Sequence, residues 1–214
     1  MPLSGLLLGS RVIAVLRADN SEHLVDVARV LVGEGIVSIE VTMNTPGALA
    51  RVRELRDGVG DAIEIGVGTV LTPQDVDQAL AAGADYVVTP NVSSVVIERV
   101  RYAGIPVIPG ALTPTEVSTA WDLGASAVKL FPAAVVGPTY VAHLRGPFPD
   151  VSVIPSGGVG PDTAAGWIAA GSPAVSVGGP LLGDALVGGD LGALRRRAAT
   201  LVDSLPSPHE AASR

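Results

Sequence analysis

With 214 residues, 48% of them hydrophobic and 16% charged, the chain can bury one sizeable core and is too apolar and glycine-rich for a disordered segment or a coiled coil. Its 14 basic and 21 acidic residues leave a formal charge of −7, the wrong sign for a surface that tracks nucleic-acid phosphates or anionic lipid, so neither nucleic acid nor membrane is an expected partner. The absence of cysteine excludes disulfides, thiolate nucleophiles, zinc–thiolate centres and iron–sulfur clusters, and makes a cytoplasmic location the expectation.

The apolar stretch Leu3 to Leu8 has no cation before it and meets Arg11 too soon for a signal-peptide core, so a leading helix over residues 2–10 is expected. Short β-rich runs then begin near Val12, Ile36, Ile63, Tyr86, Pro106, Ala125, Ser152 and Ala174, spaced by 19 to 27 residues. Between them stand helix-start pairs, Thr45-Pro46, Thr72-Pro73, Thr113-Pro114, Gly137-Pro138 and Gly160-Pro161, because proline suits the first helical position, where an N–H would be unpaired anyway. Thr113 with Glu116 has the spacing of a capping box. Gly35, Gly83, Gly104, Gly124 and Gly171 fall just before strands, where a left-handed helix cap belongs. The uncharged run from Asp162 to Asp184 is long enough to suggest a membrane span, but Pro173, Pro180 and Gly178-Gly179 make it a helix, a turn and a strand. Eight strand–helix repeats predict an α/β fold, a single (β/α)8 TIM-barrel domain over 1–214, with a frayed tail at 206–214.

Alternate residues of a barrel strand face the helices and the interior. In the second strand Val37, Ile39 and Val41 make the outer face, which leaves Ser38, Glu40 and Thr42 inside. A carboxylate there must be paired or functional, because isolated buried charge is poorly solvated. The sixth strand carries Lys129, the chain's only lysine among thirteen arginines. Lysine, unlike arginine, can lose its proton when desolvated and become a nucleophilic amine. Arg17 closes the first strand, Gly66-Val67-Gly68-Thr69 follows the third, and Thr89-Pro90-Asn91 closes the fourth. Ser156-Gly157-Gly158 and Gly178-Gly179 follow the seventh and eighth, where backbone N–H groups at a helix start would cradle a phosphate. His23, His143 and His209 have no ligand spacing, so no metal is expected. Gly66-Val67-Gly68 lacks the third glycine of a dinucleotide fingerprint.

Taken together, Ile39-Glu40-Val41-Thr42, Gly66-Val67-Gly68-Thr69-Val70, Val128-Lys129-Leu130-Phe131-Pro132, Gly146-Pro147-Phe148 and Pro155-Ser156-Gly157-Gly158-Val159 resemble the 2-keto-3-deoxy-6-phosphogluconate (KDPG) and 4-hydroxy-2-oxoglutarate (KHG) aldolases, in unbroken order from about Arg11 to Leu182. The resemblance implies a homotrimeric class I aldolase without metal or cofactor that acts on a small 2-keto acid. Lys129 matches the Schiff-base lysine, Glu40 the acid/base carboxylate and Thr69 a ligand of the pyruvate carboxylate. Pro90, Phe131 and Ser156, the last in place of a frequent threonine, join the substrate-binding set with Arg17 and the four glycines Gly157, Gly158, Gly178 and Gly179. Two positions depart from the pattern. Asn44 stands where some relatives have a carboxylate-binding arginine, a role Arg17 would take, and Gly179-Pro180 lacks a phosphate-binding serine. The expected reaction is cleavage of KDPG to pyruvate and glyceraldehyde 3-phosphate, with KHG cleavage to pyruvate and glyoxylate beside it. Asn44-Thr45-Pro46 and Thr89-Pro90-Asn91 resemble the 6-phosphogalactonate aldolases, which are the alternative, along with a phosphate-binding barrel isomerase or epimerase.

Overall fold

Period-two alternation of apolar residues does in three dimensions what it predicts: it builds a closed ring of parallel strands with one face to the helices and the other to the interior. The computed structural model describes residues 1–206; the expected frayed tail at 206–214 lies outside the described residues from 207 on, and so does His209. The strands are β1 Val12–Leu16, β2 Ser38–Thr42, β3 Glu64–Gly68, β4 Tyr86–Val88, β5 Val107–Ile108, β6 Gly110–Ala111, β7 Val128–Leu130, β8 Val153–Pro155 and β9 Val175–Val177. They pair in parallel in the orders β5-β4-β3-β2-β1-β9 and β6-β7-β8, and a bridge between Ser156 and Ser176 joins β8 to β9. This is the expected (β/α)8 barrel, with the fifth strand broken into β5 and β6. The break falls at Pro109, which has no N–H to give the ladder. Its carbonyl still accepts from the Lys129 N–H at 2.8 Å, so the ring continues through the gap. Gly110 is required just after it, because a Cβ there would stand 2.3 Å from the Pro90 carbonyl oxygen.

Among the described residues ten helices surround the ring: α1 Gly5–Ser10, α2 Leu24–Gly33, α3 Ala48–Val59, α4 Pro73–Ala81, α5 Ser94–Tyr102, α6 Pro114–Asp122, α7 Thr139–Arg145, α8 Ala164–Ala169, α9 Gly179–Leu182 and α10 Leu191–Ser204. The leading helix α1 is shorter than the expected 2–10 because Ser4, its cap, accepts from the Leu7 N–H. Thr72 and Thr113 both close capping boxes, with Asp75 and Glu116, each cap worth about 1 kcal/mol. Three expected starts slip downstream, α7 by a single residue, with Pro138 as its N-cap rather than its first residue. Helix α3 begins at Ala48, because the Thr45 hydroxyl is spent elsewhere, and α8 begins at Ala164, after a turn in which Thr163 binds the Gly160 N–H. The five glycines expected as stops all have positive φ.

Two apolar cores result. The larger lies between strands and helices, where the inward stripe of α2 (Leu24, Val27, Ala28, Leu31) meets Ile39 and Val41 of β2. Burying each large aliphatic side chain contributes about 1.5–3 kcal/mol. The smaller fills the barrel interior with Ile13, Tyr86, Val88, Ile108, Ala127, Ile154 and Ala174, and Leu7 of α1 plugs its lower end. No helix among the described residues is long and apolar enough to cross a membrane; the uncharged run divides into α8, β9 and α9.

Candidate active site

The inward face of β3 organises the interior. Its positions are Glu64, Gly66 and Gly68, paired in register with Ser38, Glu40 and Thr42 of β2. Rather than following the third strand as a turn, both glycines lie inside it and make room. A Cβ on Gly66 would sit 2.1 Å from the Tyr86 ring, and one on Gly68 would sit 2.0 Å from Glu40 Oε1. From the lower end upward, the interior therefore holds the Glu64 carboxyl, the Tyr86 ring and the Glu40 carboxylate.

Glu40 is 1% exposed, and neither carboxylate oxygen has a hydrogen-bond partner among the described residues. Lys129 on β7 is 7% exposed and places Nζ 3.5 Å from Glu40 Oε1. This is an ion-pair distance without an aligned hydrogen bond, so both groups keep bonding capacity for a third party. Nζ also lies 5.6 Å from the centroid of the Phe131 ring, which shields it from solvent on one side. Two carboxyl groups and one lysine amine share this interior, and burial pushes the Glu64 carboxyl above its usual range, with nearby Asp85 acting in the same direction. The Tyr86 phenol, hydrogen-bonded to Ser38 at 3.0 Å, is raised well above its ordinary value by burial and then by the charges of Glu64 and Glu40.

Above the Lys129–Glu40 pair opens a cavity of about 610 Å³ at the carboxyl ends of the strands. Arg17, Lys129, Phe131, Ser156 and the four loop glycines line it, along with Asn44 and Asp19. Thr69 reaches Arg17, whose Nη2 donates to the threonine hydroxyl at 3.4 Å. Thr69 holds φ 59°, a left-handed conformation that costs a β-branched residue energy and is kept where neighbours impose it. Arg17 is exposed, but the chain beside it is fixed: the Ala18 N–H donates to the buried Thr45 hydroxyl at 3.1 Å, and Thr45 in turn bonds Thr42 at 3.2 Å. Pro90 is not among the residues that line the cavity, and its carbonyl oxygen lies against Gly110.

The N–H groups of Gly157, Gly158, Gly178 and Gly179 make no hydrogen bond among the described residues. Helix α9 is only four residues long, too short for a macrodipole of consequence, so any anion here depends on the amides themselves. Sequence reasoning missed Glu64, Thr45 and Ser176, which accepts from the Ser156 hydroxyl at 3.2 Å, as well as the cavity wall at Leu186 and Val187. The shared parity of Glu64 with Gly66 and Gly68 was the available signal for the first; the others depend on contacts between distant segments. Among the described residues no group of three or more His, Asp or Glu side chains could hold a metal ion.

The model of the KDPG and KHG aldolases matches residues 5–195. The 2-dehydro-3-deoxy-6-phosphogalactonate aldolase of Escherichia coli K12 is 36% identical over 170 residues, 79% of this chain and 83% of the relative. The native KDPGal structure superposes with a TM-score of 0.83 at 34% identity, covering 90% of this chain and 93% of that one. A KDPG aldolase of Legionella pneumophila, solved with pyruvate captured as a covalent carbinolamine, gives a TM-score of 0.82 at 26% identity over 92% of this chain and 96% of its own.

Proposed function

The chain belongs to the KDPG and KHG aldolase family and is a class I aldolase of 2-keto-3-deoxy phospho-sugar acids, and from that premise we propose that its preferred substrate is 2-keto-3-deoxy-6-phosphogalactonate, cleaved reversibly to pyruvate and glyceraldehyde 3-phosphate. The galactonate configuration is chosen over the expected gluconate because a 36% identical relative and a 34% identical solved structure are named for it, and Asn44-Thr45-Pro46 and Thr89-Pro90-Asn91 accord with it. A relative 37% identical over 160 residues is named for the gluconate, and the substrate test decides between the two. The observation that carries the chemistry is the buried Lys129–Glu40 pair, 3.5 Å apart under an open cavity.

In this mechanism Glu40 takes a proton from the Lys129 ammonium, and the freed amine adds to the C2 ketone. Glu40 returns that proton to the carbinolamine hydroxyl, which leaves as water and gives an iminium. The carboxylate then removes the C4 hydroxyl proton. The C3–C4 bond breaks, its electron pair moves into the iminium, and the aldehyde departs from a pyruvate enamine. Glu40 protonates C3, and water releases pyruvate and the free lysine. One carboxylate can serve every step because it is near the amine and bonded to nothing else. Arg17 and Thr69 hold the substrate carboxylate, with Arg17 in place of the arginine that Asn44 lacks. The four glycine amides hold the phosphate, each N–H replacing a bond to water. Assembly as a homotrimer is part of the proposal and is tested by light scattering.

Pyruvate plus borohydride tests the chemistry: a reduced adduct is expected on Lys129, and an unmodified intact mass would return the site to a barrel isomerase or epimerase. The ratio of kcat/KM for the galactonate and gluconate epimers tests the substrate. A gluconate preference would overturn the galactonate reading and leave the mechanism standing.

A further inference from the structure

The C-terminal helix α10 carries three consecutive arginines with different roles. Arg195 pairs with Glu34 at 3.2 Å and Arg196 with Asp190 at 3.4 Å, both at the surface. Arg197 turns inward. Its Nε donates to the Leu181 carbonyl at 2.6 Å and its Nη2 to the Leu182 carbonyl at 2.8 Å, and among the described residues it pairs with no carboxylate. The neighbouring sequence is adapted to this contact. Gly183 has φ 57°, and a Cβ there would stand 2.8 Å from Arg197 Nη2, so a glycine keeps the guanidinium's place open.

Those two carbonyls end α9, the single turn that Gly178 and Gly179 begin. The turn satisfies its first carbonyls itself, through Leu181 and Leu182 N–H to Gly178 and Gly183 N–H to Gly179. Its last carbonyls have no partner inside it. One turn has too few internal bonds to fix its own position, because nucleation costs more than a single turn returns. Two charge-assisted bonds from a neighbouring long helix supply the missing constraint.

We infer that Arg197 is a positioning residue for the substrate's distal phosphate: by pinning the end of α9 it fixes where the Gly178 and Gly179 amides point. The inference rests on the reading of the glycine loops as the phosphate site. Arg197 touches neither the substrate carboxylate site nor the Lys129–Glu40 pair, so its loss should affect phosphate recognition alone.

The test compares wild type, R197M and R197K. KM and kcat are measured for the phosphorylated sugar acid and its unphosphorylated counterpart. Deuterium exchange at C3 of pyruvate reports the phosphate-free half-reaction. In R197M the KM for the phosphorylated substrate should rise about tenfold or more, the scale of one or two lost hydrogen bonds. Pyruvate exchange should stay within about twofold in the same variant, since no phosphate takes part. R197K, which keeps the charge and reaches one carbonyl, should recover part of the loss, and it carries the test if R197M does not fold. An equal loss in both reactions, or an unchanged KM in both variants, would overturn the inference while leaving the phosphate site intact. If wild type shows no preference for the phosphorylated substrate, the phosphate reading itself fails and the inference with it.

Discussion

Gly68→Ala displaces the proposed catalytic carboxylate without replacing any reacting group. The added Cβ would lie 2.0 Å from Glu40 Oε1, 2.7 Å from its Cδ and 2.8 Å from its Cγ, whereas real Cβ contacts essentially never fall below 3.0 Å. The carboxylate oxygen must therefore retreat by at least about 1 Å, and a displacement of that size at a reacting group can cost about 10²-fold in rate. Extra volume in a packed interior costs about 1–3 kcal/mol, which a domain of this size survives. Gly66→Ala is the control, because it brings the same methyl against the Tyr86 ring at 2.1 Å, one layer below the chemistry. Pyruvate release followed through lactate dehydrogenase and NADH should show a fall of about 10²-fold for Gly68→Ala and a much smaller one for Gly66→Ala. Borohydride trapping on Lys129 should remain detectable in both, more slowly in Gly68→Ala, because the amine is intact. If Gly68→Ala folds with near-normal turnover, Glu40 is not the group whose position limits the reaction.

Lys129→Arg should fold normally, form no borohydride adduct with pyruvate and retain under about 1% of wild-type cleavage, since arginine keeps the charge and loses the deprotonable amine; measurable turnover above that level refutes the imine. Glu40→Gln should trap pyruvate more slowly, because Glu40 also moves the protons of imine formation, but still reach a detectable adduct, and should cleave the sugar acid at least about 10²-fold more slowly, because the amide cannot accept a proton; normal cleavage would make Glu40 structural. Glu64→Gln should change stability with pH rather than catalysis. Burial raises the Glu64 carboxyl above 4.5, so in wild type its favourable contribution is whole below that pH and is lost as pH rises through the raised value. Urea midpoints for Glu64→Gln and wild type should agree near the acid end and diverge in favour of the variant towards neutrality, and parallel profiles would count against a destabilising buried charge.

The barrel was legible in the sequence because its signals repeat. Strand runs, threonine–proline starts and glycine stops each occur several times, and physical conflict at one site does not erase the pattern. Single departures were not legible. Thr45-Pro46 has the chemistry of a helix start, yet its hydroxyl is claimed by Ala18 and Thr42, a competition decided by residues 27 and 3 positions away. The break at Pro109 similarly follows from a strand too short to span the missing donor.

In the site, residues that stand out by type were found and residues that act by absence were not. Lys129 is unique in the chain, and Glu40 is a charge on the parity that faces the barrel interior, so each violates a local expectation that function relieves. Gly68 violates nothing. A glycine in a Gly-x-Gly run reads as a turn until the Glu40 carboxylate is seen in the space its side chain would fill. The same reasoning supports assigning the proposed catalysis to the upper carboxylate rather than to Glu64. Tyr86 over Gly66 separates the two, and burial favours the neutral form of Glu64 at the closed end, under the plug of α1. Glu40 instead faces the lysine and the open cavity. The chain therefore spends two consecutive inward glycines of β3 on one aromatic ring and one carboxylate, and that substitution of space for side chain lets a single strand carry both the floor of the site and its base.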